Sequence, residues 1–175
     1  MAAHNRHLRG DTNDVLIDIH GNTTIEAGDF IVRNGVDGGM AGAAATGLAA
    51  DNYGFPLSSY HNTASTEIEI NGIIQTNFVG VAMESSPSGT TEKITVASDG
   101  VFRYPLYTSS AVTIGTTVST TSGSAHSASS KQAVSILGTA NDTTAYLGYC
   151  VKTESGASFV DFQIRTAYGT GGRIA

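Results

Sequence analysis

Glu67 and Glu69 are the first residues in this chain whose types and spacing could do chemistry. Alternation through residues 66–74 sets both carboxylates on one face of a strand, a spacing open to general acid–base work. The same alternation turns Ile68 and Ile70 to the other face. Two solvated glutamates on the outer face of a half-buried strand are the commoner meaning of such a pattern. The five histidines, His4, His7, His20, His61 and His126, are scattered. His4 and His7 lie three apart, but no cysteine or carboxylate cluster stands near them at metal-ligand spacing. Residues 11–18 lack the central glycine and closing glutamate of a calcium loop. There is no Gly-x-Ser-x-Gly elbow and no Gly-Lys-Ser/Thr phosphate loop, and residues 35–42 lack the βαβ context of a dinucleotide site. No catalytic residue, cofactor or metal site is expected, and nothing in the sequence asks for an enzyme.

The elements that would hold such residues are strands. The chain has 175 residues, enough for one domain, with 40% apolar and 14% charged residues, 21 glycines and no tryptophan. Low charge with abundant Thr, Ser, Gly and Val fits an all-β protein with many turns. A net charge of −6 argues against a general nucleic-acid binder, which needs clustered cations to displace counterions from phosphate. The one cysteine, Cys150, rules out an internal disulfide framework, and its setting in a strand pattern makes it a small buried hydrophobe. Residues 38–50 are too short and too rich in glycine to span a bilayer, and no secretory signal is read at the N-terminus. A soluble protein made in a cytoplasm, without a membrane partner, is the expectation.

Residues 1–14 read as an extended N-terminal arm. Arg6, His7 and Arg9 precede a more acidic stretch holding Asp14, Asp18, Glu26 and Asp29. Residues 15–167 read as a single β domain with loop insertions near 35–65 and 119–131, followed by a flexible tail over 168–175. Strands are expected at 15–19 and 23–34, the latter broken by a turn at 26–29, and a turn at 53–56. Residues 111–119 read as one more alternating strand, and 132–137 and 144–151 as two others.

The clearest β signal runs from 76 to 106. Residues 78–84 and 93–97 alternate, Asp99-Gly100 is a tight-turn dipeptide, and a third run closes at Pro105, which cannot donate to a ladder. A compact antiparallel meander is the expectation. A second copy follows near the C-terminus: residues 147–152 line up with 79–84, and 158–165 take the place of the strand at 93–97. Two related hairpins closing one barrel or sandwich are expected, with Ile31, Val79, Val81, Ile94, Val96, Phe102, Ile114, Val118, Ile136, Leu147, Val160 and Ile164 as the core. Tyr104 and Tyr107, a close pair of tyrosines, are candidate subunit-contact residues, with core packing of one of them as the alternative.

The run GVAMESSPSGTTEKITVASDGVFRYP, then VTIGTTV, then LGYCVKTESGASFVDFQIR, resembles the head decoration (capsid cement) proteins of tailed bacteriophages. The resemblance covers residues 78–165, about half the chain, and leaves out the insert between 34 and 76 and the Ser/Thr-rich tract after 120. It implies a small β-barrel or β-tulip domain with antiparallel hairpins and little helix. It further implies a homotrimer on the outer capsid surface that clamps neighbouring major capsid subunits, with the N-terminal arm paired to a capsid strand. Arg6, His7 and Arg9 are then the capsid-contact residues of the arm. The competing expectation is a carbohydrate- or receptor-binding β module. Against it, sugar platforms favour exposed aromatics, and this chain has no tryptophan.

Overall fold

The computed structural model describes residues 6–9, 13–19, 24–33, 54–56, 77–88, 92–120, 133–136 and 147–166. They form an all-β fold: β1 (Arg6–Arg9), β2 (Asp14–Asp18), β3 (Phe30–Arg33), β4 (Gly54–Pro56), β5 (Phe78–Ala82), β6 (Lys93–Ala97), β7 (Val101–Val112), β8 (Thr117–Thr120), β9 (Val134–Ile136), β10 (Gly148–Cys150) and β11 (Glu154–Ile164). One sheet has the order β2-β6-β5-β3-β4. The other runs β1-β7-β11-β10-β8-β9 and closes into a five-stranded barrel where Leu106 of β7 meets Val134 of β9 in a parallel bridge. Closure removes the barrel's own edges, and β1 is added to the outside of β7.

The two sheets are two copies of one unit. β2, β3, β4, β5 and β6 correspond in order to β7, β8, β9, β10 and β11, and the strand order of the two sheets is the same. The register agrees residue by residue. Val15 faces Val96 as Phe102 faces Phe162; Ala82 faces Val96 as Cys150 faces Phe162; Ile31 faces Pro56 as Val118 faces Ile136. The turns agree as well. Gly28 N donates to Ala82 O as Gly115 N donates to Cys150 O, and Ala82 N donates to Asp29 O as Cys150 N donates to Thr116 O. Met83 N to Thr95 O has its counterpart in Val151 N to Asp161 O, and Ser98 N to Asn13 O in Ile164 N to Gly100 O. From Asp14 to Arg33 the shift to the second copy is a constant 87 residues (Asp14 to Val101, Gly28 to Gly115, Ile31 to Val118).

The interior follows the same plan. Ile17, Ile19, Ile25, Ile31, Val79, Ala82, Ile94 and Val96 form one buried cluster. Their counterparts, Tyr104, Leu106, Val112, Val118, Leu147, Cys150, Val160 and Phe162, all lie in the other. Each unit therefore keeps an inside of its own. Gly80 and its counterpart Gly148 each mark a close strand approach: a Cβ on either would stand 2.0 or 1.9 Å from a carbonyl oxygen, of Ala97 or Gln163. Only glycine fits there.

The outer face of the first unit joins the two. Phe30, Val32, Phe78, Val81 and Ala97 belong to the cluster of the second unit. Tyr104 stacks on Phe30 at 4.6 Å and donates its hydroxyl to Gly28 O at 2.6 Å, a buried bond across the junction. Thr166 Oγ1 donates to Ser98 O at 2.9 Å in the same region.

Several sequence expectations change. The 76–106 meander is half a meander: β5 and β6 pair, but Asp99-Gly100 carries the chain from β6 in one sheet to β7 in the other. Gly100, at φ +127, makes that passage, with the Asp99 carboxylate accepting from its N–H. Pro105 does not end β7; it sits inside it, opposite Phe159 and next to a bulge between Ala157 and Phe159, where a missing donor is tolerated. Residues 111–119 are not one strand, since Ile114 and Gly115 turn between β7 and β8. Ile114 is consequently 64% exposed and not core, while Ile136 packs against the core only in part. The other expected core residues are buried. Gly54–Pro56 is a strand on β3 rather than a turn, and Ser119 is a buried part of β8 rather than the start of a loop. The arm does not extend over 1–14: Asp14 opens β2, and Arg6–Arg9 is a strand of the chain's own sheet.

Candidate interaction surface

β1 is held by a short ladder. Arg6 faces Arg103, His7 faces Phe102 and Arg9 faces Val101, with a bulge between His7 and Arg9. The exposed His7 ring tilts against Phe102 at 5.3 Å. Of the expected capsid-contact residues, all three therefore lie on one edge strand. Tyr104 and Tyr107 part company. Tyr104 is fully buried in the junction, so it cannot face another subunit, and burial drives its phenol pKa well up, with the Asp29 carboxylate adding to the shift. Tyr107 is 55% exposed.

Tyr107 belongs to a patch that sequence reading missed. Along β7 the outward positions are Arg103, Pro105 and Tyr107, and β11 sets Asp161 opposite Arg103 and Phe159 opposite Pro105. Phe159 is 49% exposed. Arg103 donates to Asp161 through Nε at 2.6 Å and an Nη at 2.8 Å, a bidentate fork that raises the guanidinium pKa further. Lys152 and Glu154 form an exposed pair at 2.8 Å beside it. A groove of about 300 Å³ runs among Arg103, Val112, Lys152, Glu154, Phe159 and Asp161. The only sequence signal for this surface was the run SFVDFQ, where a phenylalanine falls on the polar phase of the alternation.

Glu67, Glu69, His4, His20, His61 and His126 lie outside the described residues, as do the expected tail at 168–175 and the strand at 66–74. Among the described residues, no group of three or more His, Cys, Asp or Glu is placed to hold a metal ion, and no helix is long and apolar enough to cross a membrane. Cys150 is buried in β10, and desolvation pushes its thiol pKa up to about 11. Comparison of the chain with family models, with curated proteins and with solved structures finds no match.

Proposed function

We propose that this chain is a structural virion protein that binds the outer surface of a tailed-phage capsid and stabilises it by clamping neighbouring major capsid subunits. The observation that carries the reading is β1: a four-residue terminal strand laid on a sheet edge through a bulged ladder. Moving it to a capsid strand exchanges one set of main-chain hydrogen bonds for another. Because the segment is already extended, the exchange avoids most of the roughly 1–2 kcal/mol per residue needed to order coil. The decoration-protein resemblance over residues 78–165 supports the same reading, as does the all-β fold. The exposed Tyr107 and Phe159, with the half-buried Pro105 between them, are then the surface for neighbours in a homotrimer. Closing a ring over several capsid subunits multiplies modest contacts by effective concentration. The site of action is the capsid exterior, after synthesis in the host cytoplasm.

Deleting residues 2–10 tests this. Co-sedimentation with expanded heads should fall, and by more than Arg6→Ala with Arg9→Ala produces, because backbone pairing goes too. Decoration at unchanged affinity and salt dependence would overturn the clamp. A carbohydrate- or receptor-binding module is the second reading, favoured by the exposed Phe159 beside the charged groove. Glycan binding by the isolated chain, lost in Phe159→Ala, would replace the first reading with it.

A further inference from the structure

The duplication assigns a second strand-addition edge. β1 covers β7 at Val101, Phe102 and Arg103. The counterparts of those residues in the first unit are Asp14, Val15 and Leu16 of β2. Among the described residues β2 pairs only with β6, so among them the edge that is occupied in one unit carries no strand in the other. The backbone of this unit accepts an antiparallel strand at that place, as β7 demonstrates.

We propose that the β2 edge at Asp14–Asp18 docks an extended segment of a partner chain in which an apolar residue is flanked, two positions to either side, by Lys or Arg. Leu16 is 66% exposed on the outward face, between the exposed Asp14 and Asp18. An apolar side chain lying across from Leu16 covers it. Cations opposite Asp14 and Asp18 make favourable cross-strand pairs. Among the described residues Asp18 pairs with Lys93 at 3.9 Å, an exposed and loose pair that a cation alongside can share.

Charge separates this occupant from two others. A second copy of β2 paired antiparallel about Leu16 sets Asp14 opposite Asp18 twice, which is repulsive. The chain's own Arg6–Arg9 folding back over residues 10–13 sets Arg9 opposite Asp14, but it must leave β7. The inference goes beyond the capsid reading and stands for any partner with this segment.

The probe is an acetylated, amidated Arg-Val-Leu-Val-Arg peptide, with Glu-Val-Leu-Val-Glu as its control, added to the full chain. The basic peptide should bind at least about tenfold more tightly, since two cross-strand charge pairs change sign. Hydrogen exchange should slow in Asp14–Asp18 and not in Val101–Arg103. Asp14→Lys with Asp18→Lys, exposed changes that leave the fold intact, should invert the preference between the peptides. Equal binding of both peptides, no binding, or protection at Val101–Arg103 overturns the proposal. So does protection without peptide at Asp14, Leu16 and Asp18, whose N–H groups alternate away from the β6 ladder: if independent of protein concentration, the occupant is the chain's own N-terminus, and if concentration-dependent, a second copy.

Discussion

The two units share the antiparallel pairings of their five strands, and they differ in barrel closure, in the added β1 and in what their surfaces do. On the face of β3, β5 and β6, the first unit carries Phe30, Val81 and Ala97, all buried against the second. The corresponding residues of the second unit are Thr117, Tyr149 and Gln163, half-buried or exposed. On the neighbouring face the contrast reverses. The first unit has the solvated Lys93–Asp18 pair where the second has Phe159 against Pro105. A strand order fixed by main-chain pairing thus tolerates opposite surface chemistry, and the surface sets each unit's role: one docks inside the chain, the other faces outward. Duplicated β units can diverge this way because side chains alternate between faces, so one face changes while the other keeps the interior.

Breaking the junction has the largest expected effect. Tyr104→Ala removes a fully buried ring and its bond to Gly28 O, at a cost of about 3–5 kcal/mol. Tyr104→Phe keeps the stack on Phe30 and leaves the buried carbonyl without that donor, at about 1–3 kcal/mol. Denaturant unfolding should show the order, and in Tyr104→Ala the single transition should broaden or split as the units uncouple. Next come the paired glycines. Gly80→Ala and Gly148→Ala each drive a Cβ into a partner-strand carbonyl, so both should lose at least about 1–3 kcal/mol, and by similar amounts. Gly115→Ala has open space and only the strain of φ +83, about 1–2 kcal/mol. Markedly unequal losses at Gly80 and Gly148 would mean that the two hairpins are not equivalent.

That equivalence was legible in the sequence only where glycine exposes it. Residues 79–84 and 147–152 align on Gly80 and Gly148, and the structure pairs them in one register. The other half of the repeat is silent. Between Asp14 and Arg33, Gly28 is the one residue that equals its counterpart, Gly115. What persists there is burial, Ile25 with Val112 or Ile17 with Tyr104, and period-2 burial alone does not distinguish one strand from another. The same weakness explains the misplaced meander. Asp99-Gly100 announces a reversal of the chain, but a turn dipeptide does not say whether the strand after it rejoins the same sheet. Phe159 was hidden for a related reason: its neighbours alternate correctly, so an apolar residue on the outward phase reads as core until the face is known. Tyr104 was the opposite case, a surface candidate whose hydroxyl had an internal acceptor.

The outward faces can be compared directly by removing one cation from each. Arg103→Ala strips Asp161, itself only 13% exposed, of a bidentate partner and should cost about 1 kcal/mol after solvent screening. Lys93→Ala, at the 3.9 Å exposed pair, should be close to neutral. Thermal unfolding in low and high salt is the measurement. Equal effects would show that the Arg103–Asp161 fork is no more than another surface pair.

The smallest effect expected of an interior change at neutral pH comes from the one interior position where the units differ by a single sulfur, Ala82 against Cys150. Cys150→Ala makes the second interior resemble the first and should cost only about 0.5–1.5 kcal/mol near pH 7, the scale of losing one methyl-sized group. Its consequence lies at high pH. The folded thiol has its pKa raised to about 11 from an ordinary value of 9.0, because burial disfavours the thiolate. Below pH 9 both folded and unfolded chains hold the proton, and the group adds nothing to the pH dependence. Between pH 9 and 11 the unfolded chain releases it and the folded chain does not, so stability falls as pH rises through that window. Cys150→Ala should remove this part of the alkaline loss, so the stability difference between the two proteins shrinks or reverses from pH 9 to 11. Parallel stability curves across that window would show that the thiol ionises as readily inside β10 as in the unfolded chain. The interior of the second unit would then be wetter than that of the first.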